Sequence, residues 1–181
     1  MRKNPWTVLP VGSVILHLGL LRNCKYYNVA DRSELKGKPE KSDDQPKLVK
    51  EFVIPGAIRL IKLARSYGLK VFFHSCGSIV DAIPLLIEAG ADIIHPIQAL
   101  AAGMQPENLK ARFGGQIAFC GGVDTQELLP HGTQQDVMDK VKELRTIFPT
   151  GLIVSPSHEA LQADVPPENV KAMFDEATKI Y

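Results

Sequence analysis

The chain has 181 residues, 45% of them hydrophobic, and a formal net charge of +1 at pH 7. That is enough apolar content for one domain with its own core. The near-neutral balance, with no long Lys/Arg run, argues against a nucleic-acid binder.

Cys24, Cys76 and Cys120 are too few and too scattered for a disulfide framework, which points to a reducing, cytoplasmic setting. Residues 1–45 are the least regular part. The mostly apolar run from Val8 to Leu21 is interrupted by Pro10, Gly12, Ser13, His17 and Gly19 and closed by Arg22. It is shorter than the roughly 20 residues of a membrane span, and no small-x-small cleavage pattern follows it cleanly. It reads as a buried or irregular N-terminal segment, with no membrane role. From Ala30 to Gln45 the chain is polar and charged, with Gly37 and Pro39 breaking any helix, as in a long surface loop or linker. The regular domain is expected over residues 46–181.

From Pro46 to Tyr67, Leu48, Phe52, Ile58, Ile61 and Leu63 follow helical spacing, and Pro55 should kink or divide that helix. Leu69 to His74 predicts a first strand, with the apolar run Val71-Phe72-Phe73 of a strand covered on both faces. Ser78 to Ala89 predicts a helix distorted at Pro84, and Ala91 to His95 a second strand. Pro106 to Phe113 reads as a short helix, Gln116 to Cys120 as a third strand and Thr133 to Phe148 as a longer helix. Gly151 to Ser155 reads as a fourth strand. Pro167 to Ile180 reads as a last helix with Val170, Met173, Phe174 and Ala177 inward. The alternation predicts an α/β fold, about four parallel strands joined through helices by right-handed crossovers.

The strand ends carry the chemistry. The first ends His74-Ser75-Cys76-Gly77, the second His95-Pro96-Ile97-Gln98, the third Cys120-Gly121-Gly122-Val123-Asp124 and the fourth Ser155-Pro156-Ser157-His158. The N-terminal ends, at Lys70, Ala91, Gln116 and Gly151, carry nothing comparable. In a parallel α/β sheet all C-terminal strand ends lie on one rim, where ligands bind. His74 and Cys76 lie two apart, so an extended backbone aims both to one side. They form a candidate metal pair, with His158 as the best third ligand and Cys120 as the alternative, the latter equally readable as core. His95, directly before a proline, reads as a residue held by backbone bonds. Asp124 is readable as a catalytic group or as an Asx cap of the turn. Gly121 and Gly122 permit close backbone approach to a ligand, and with Gln98 and Ser157 they are the candidates for substrate contact. Zinc held by His, Cys and one more side chain keeps an open position. A thiol entering it is deprotonated and becomes a strong nucleophile; alternatively the zinc could bind water for hydrolysis, which would want a carboxylate base, and only Asp124 and Glu159 stand at strand ends.

The stretches K-V-F-F-H-S-C-G-S-I (70–79), L-I-E-A-G-A-D-I-I-H-P-I-Q (86–98), G-M-Q-P-E-N-L-K (103–110), A-F-C-G-G-V-D-T-Q (118–126), S-P-S-H (155–158) and D-V-P-P-E-N-V (164–170) resemble the uroporphyrinogen decarboxylase family, which also contains corrinoid-dependent methyltransferases. The resemblance runs from about Asp31 to the C-terminus. It implies the C-terminal half of a TIM-type (β/α)8 barrel. The zinc methyltransferase branch uses His-x-Cys on one strand and a later cysteine on the last. His74 and Cys76 match the first two, and His158 stands in the third position. Decarboxylases lack His-x-Cys but have a substrate-contacting histidine near the last strand, which His158 matches, so His158 and Asp124 are the catalytic candidates. The decarboxylases' essential aspartate and substrate-gripping arginines lie in the N-terminal half, which has no counterpart here. Arg59, Arg65, Arg112 and Arg145 all fall in helices or at helix ends.

The resemblance therefore implies zinc-dependent methyl transfer to a small-molecule thiol, with a corrinoid on a partner protein as methyl donor. The alternatives are metal-free decarboxylation of a tetrapyrrole and an inactive half-barrel that binds a partner. A half-barrel leaves sheet edges and an apolar interior open. The expectation is a truncated chain, a homodimer or pairing with the missing half-barrel, or cover from residues 1–30.

Overall fold

Short runs of aromatic and β-branched residues, punctuated by helices, build one parallel sheet. The computed structural model describes the backbone of residues 13–17 and 49–50 and, in full, residues 51–158 and 160–180. Five strands, β1 (Ser13–His17), β2 (Lys70–His74), β3 (Ile93–Ile97), β4 (Ala118–Val123) and β5 (Leu152–Pro156), lie side by side in chain order. Every neighbouring pair is parallel. The helices are α1 (Ile54–Ser66), α2 (Ile83–Ala89), α3 (Pro106–Phe113), α4 (Leu128–His131), α5 (Gln134–Ile147) and α6 (Pro167–Ala177). Helices between successive parallel strands make this a partial TIM-barrel-like fold, consistent with a half-barrel.

Prolines set where several helices begin. Pro55 lies in the first turn of α1 and separates it from a π-helical turn at Val49–Val53, so the helix expected from Pro46 is divided there. Pro84 does not distort a helix interior. It opens α2, which starts five residues later than Ser78, because a residue without an N–H fits the first turn. Thr133 caps α5 through a reciprocal capping box with Asp136. The strand expected at Ala91–His95 runs instead from Ile93 to Ile97. α4 is an unanticipated single turn. β1 lies within the stretch expected to be irregular and adds a fifth strand to the expected four. The linker expected at Ala30–Gln45 lies outside the described residues. Among the described residues no helix is long and apolar enough to cross a membrane.

Strand alternation sorts the side chains into two layers. Val71, Phe73, Ile94, Ile97 and Phe119 face the helices and pack with Ile61, Leu86 and Leu109. Phe72, Ile93, Ala118 and Cys120 face the other way, with Ile153 packed against them. A further cluster joins Val123, Leu129, Val137, Val141, Leu144 and Met173. In α6 the buried stripe is Asn169, Ala172, Met173 and Glu176, whereas Phe174 is 50% exposed. The inward assignment of Phe174 is therefore corrected. Asn169 is admitted to the interior because its amide donates to the carbonyls of Leu129 and Gly132. The Glu176 carboxylate accepts from Lys179 Nζ at 2.5 Å.

The register of β2 against β3 is pinned at its lower end by Asp92. One carboxylate oxygen accepts from Val71 N at 2.8 Å, and the other from Lys70 Nζ at 2.9 Å. Arg65 lies 3.1 Å away. Its cationic partners are half exposed, where ion pairs contribute little, so the bond to the buried Val71 amide dominates. Replacing Asp92 with Ala should lower unfolding free energy in urea by about 1–3 kcal/mol through the orphaned amide. Asp92→Asn, which retains an acceptor oxygen, should lose less than half of that. Equal losses would transfer the effect to the ion pairs.

Candidate functional site

Parallel pairing brings the C-terminal strand ends to one rim. His74 follows Phe72 on its strand face, and the register His74↔His95 sets the end of β2 beside the middle of β3. His17 of β1 is the register partner of His74 on the other side. Above the strands, Ser75 N donates to His95 O at 2.9 Å. Gly77 N donates to Gln98 Oε1, and Ser78 Oγ donates to Ala102 O at 2.6 Å. These three bonds tie the His74–Ser78 turn to β3 and to the segment that follows it. Gly77 itself turns with φ +84°, a left-handed conformation that a side chain would strain.

That frame holds three reactive side chains in a line. Cys76 Sγ lies 3.5 Å from His74 Nε2. His74 Nδ1 lies 2.7 Å from His95 Nδ1, with the ring centroids 4.8 Å apart and tilted by 51°. Phe72 packs against the His95 ring at 5.2 Å. His74 is buried, while Cys76 and His95 are half-buried. His95 was expected to be held by backbone bonds. Its carbonyl is so held, but its ring is also joined to His74. The signal for this in the sequence was its place at a C-terminal strand end, discounted because a proline follows.

The pair suits a metal at two corners. Zinc ligands at about 2.3 Å (sulfur) and about 2.05 Å (nitrogen) in a tetrahedron stand about 3.6 Å apart. The His74–Cys76 separation of 3.5 Å matches that edge, and it equally suits a thiol donating to the imidazole. His95 touches the opposite edge of the His74 ring, so its contact does not converge on the same point. Among the described residues no group of three or more His, Cys, Asp and Glu is arranged to hold a metal ion. His158 is thus not gathered with the pair; its Nδ1 accepts from Ala160 N at 3.3 Å. Cys120 is also apart, buried with Phe72, Ile93 and Ala118. Burial pushes its thiol up to about 11, with a Ser155 hydrogen bond pulling weakly the other way.

The other candidates divide. Gln98, Asp124 and Ser157 line a cavity of about 140 Å³ at the rim, together with Ala101 and Thr125. Asp124 also holds the chain: Oδ2 accepts from the amides of Gln126, Glu127 and Leu128 at 3.2, 2.7 and 3.0 Å, capping the start of α4. Ser157 N donates to Val123 O at 2.7 Å, closing the β4–β5 rim. Gly121 and Gly122 are hemmed in by the protein itself. A Cβ on Gly121 would lie 2.6 Å from Ile97 N, and one on Gly122 3.0 Å from the Leu144 side chain. Both glycines have positive φ. Their close approach is to β3 and α5. Gln98 links cavity and pair, since it lines the one and holds the turn carrying the other.

The two cysteines among the described residues should differ chemically. With chelator present at pH 8, iodoacetamide should label Cys76 more than about tenfold faster than Cys120, because the raised pKa leaves Cys120 a thiol. Peptide mass spectrometry checks this, and equal rates would contradict the burial of Cys120.

A family model described as uroporphyrinogen decarboxylase (URO-D) matches residues 45–180. A search of curated proteins finds no match. Among solved structures, a methyltransferase from Methanosarcina mazei superposes with a TM-score of 0.59 at 20% identity. The match covers 74% of this chain and 37% of that one, so the chain spans well under half of the methyltransferase's length. At that identity the likeness shows a shared fold.

Proposed function

The chain belongs to the uroporphyrinogen decarboxylase family, and from that premise we propose that its rim is a zinc-dependent methyl-transfer site of the corrinoid type, acting on a small-molecule thiol. The observation that carries the reading is the His74–Cys76 separation of 3.5 Å, which fits one edge of a zinc tetrahedron. His74 Nε2 and Cys76 Sγ would be two ligands. His158, on the loop after β5, is the third in this proposal and would have to leave its present position to join them. Cys120, in an apolar cluster with a raised pKa, suits the ligand role less well. Zinc bound there would supply a Lewis acid that keeps a thiol deprotonated at neutral pH.

The remaining residues have supporting roles in this reading. Gln98 holds the Gly77 amide and so fixes where Cys76 points. The cavity of about 140 Å³ is small and edged by Gln98, Asp124 and Ser157, which suits a compact polar thiol. Its methyl group would come from a corrinoid carried by a partner protein. The described sheet holds five strands of a barrel that needs eight. We therefore assign the rest of the rim to a second half-barrel or a second copy of this chain.

The family's name favours a second reading, decarboxylation of a tetrapyrrole with His158 in contact with substrate. It is weaker here. A polycarboxylate calls for arginines at the rim, and Arg59, Arg65, Arg112 and Arg145 lie in α1, α3 and α5. Purified under reducing conditions and desalted, the full chain should carry about one zinc, measured by inductively coupled plasma mass spectrometry. Cys76→Ala should carry almost none. A metal-free wild type that turns over uroporphyrinogen would replace the first reading by the second.

A further inference from the structure

We propose that the rim cavity holds a small primary ammonium compound, with its cationic group on Asp124 and its polar far end on Gln98 and Ser157. The cavity is the one assigned above to a polar thiol. The inference rests on that reading only for its place at the rim, since the recognition needs no metal. Among the described residues that line the cavity, Asp124 is the one that carries charge, and no lysine, arginine or histidine stands beside it on the wall. Its Oδ2 is taken by the amides of Gln126, Glu127 and Leu128. Its Oδ1 takes no hydrogen bond among the described residues. A carboxylate oxygen left over at a small cavity is matched best by a charged N–H donor, because charge-assisted hydrogen bonds are the strong ones.

The rest of the wall supplies neutral donors. Gly77 N can only donate, so its bond sets the Gln98 amide with Oε1 toward the turn and the NH2 group away from it. Ser157 gives its backbone N–H to Val123 O, which leaves its hydroxyl uncommitted. Gln98 is 7% exposed and Ser157 4%, so both side chains are packed in place. No fully buried polar side-chain atom among the described residues lacks a partner, so the Gln98 NH2 and the Ser157 hydroxyl open onto the cavity that they line. Neutral donors suit an uncharged acceptor; a ligand carboxylate would stand near Asp124 with no cation to offset it. Ala99 and Ala101 add apolar surface for a short carbon chain. A cavity of about 150 Å³ takes a benzene-sized guest, so the volume of about 140 Å³ here admits about half a dozen heavy atoms. A small amino alcohol or aminothiol meets these requirements. In the thiol reading the substrate is then an aminothiol with its sulfur at the Gln98 end, because Gln98 also holds the turn that carries Cys76.

The test titrates the full chain with ethanolamine as the probe, at neutral pH with chelator present. The backbone amides of Gln126, Glu127 and Leu128 are followed by heteronuclear NMR, since they bond to Asp124 directly. Ethylene glycol and glycolate, of similar size, are the neutral and anionic controls. The expected result is saturable binding of ethanolamine, at least about tenfold tighter than either control. Asp124→Asn keeps a side-chain oxygen for the cap and should weaken ethanolamine about 10–100-fold. Ser157→Ala, with circular dichroism as the folding control, should weaken it about 2–10-fold. Equal affinity for ethylene glycol, tighter binding of glycolate, or an Asp124→Asn chain that binds as well as wild type would overturn the inference. Because no metal takes part, that result would leave the zinc reading intact. A chain that takes up no zinc yet binds ethanolamine would overturn the zinc reading alone.

Discussion

The site depends on the register between β2 and β3. Beyond the ladder itself it is held at both ends: Val71 N donates to Asp92 Oδ2 at 2.8 Å and Asp92 N to Val71 O at 3.0 Å below, and Ser75 N donates to His95 O at 2.9 Å above. A slip of one residue would send every β2 side chain to the opposite face. Phe73 would leave the helix-side core, and His74 would leave the rim. The bonds that fix a hydrophobic layer therefore also fix a thiol and two imidazoles within contact of one another. Packing and chemistry are set by one constraint, because in a parallel sheet they occupy alternate residues of the same strand.

The rim is a set of side chains standing on unequal supports. Around Cys76, the turn is tied to β3 by Gln98 and Ser78, so its backbone is held from the side. Around Asp124, three amides gather on one carboxylate oxygen and make the residue a cap as well as a cavity wall. His158 Nδ1 accepts from Ala160 N within its own loop. The pair on β2 and the carboxylate after β4 are thus each held by bonds to a neighbouring segment of backbone.

Much of this was legible in the sequence because it follows from period and polarity. Apolar runs ending in His, Cys, Gly and Asp predict parallel strands with a common reactive rim, and β2 to β5 form that sheet. The proline at its first turn predicts where α3 begins, and the helix read from Thr133 corresponds to α5. What was not legible depended on partners distant in sequence. The buried face of α6 includes Asn169 and Glu176, so hydrophobicity alone turned Phe174 inward; the carbonyls and the lysine that satisfy the two polar groups are what reverse it. β1 lay within a segment broken by glycines, with no periodic run of its own to mark it. The crowding at Gly121 and Gly122 was hidden likewise: the atoms that a Cβ there would meet belong to β3 and α5. The ring contact of His95 needed the β2–β3 register, which no local pattern carries.

The central claim is that His74 and Cys76 share one zinc ion. X-ray absorption at the zinc edge of the loaded chain tests it most directly. The account predicts a mixed shell with one sulfur at about 2.3 Å and nitrogen at about 2.0–2.1 Å, with the sulfur lost in Cys76→Ala. A shell of nitrogen and oxygen alone in the wild-type protein would contradict it.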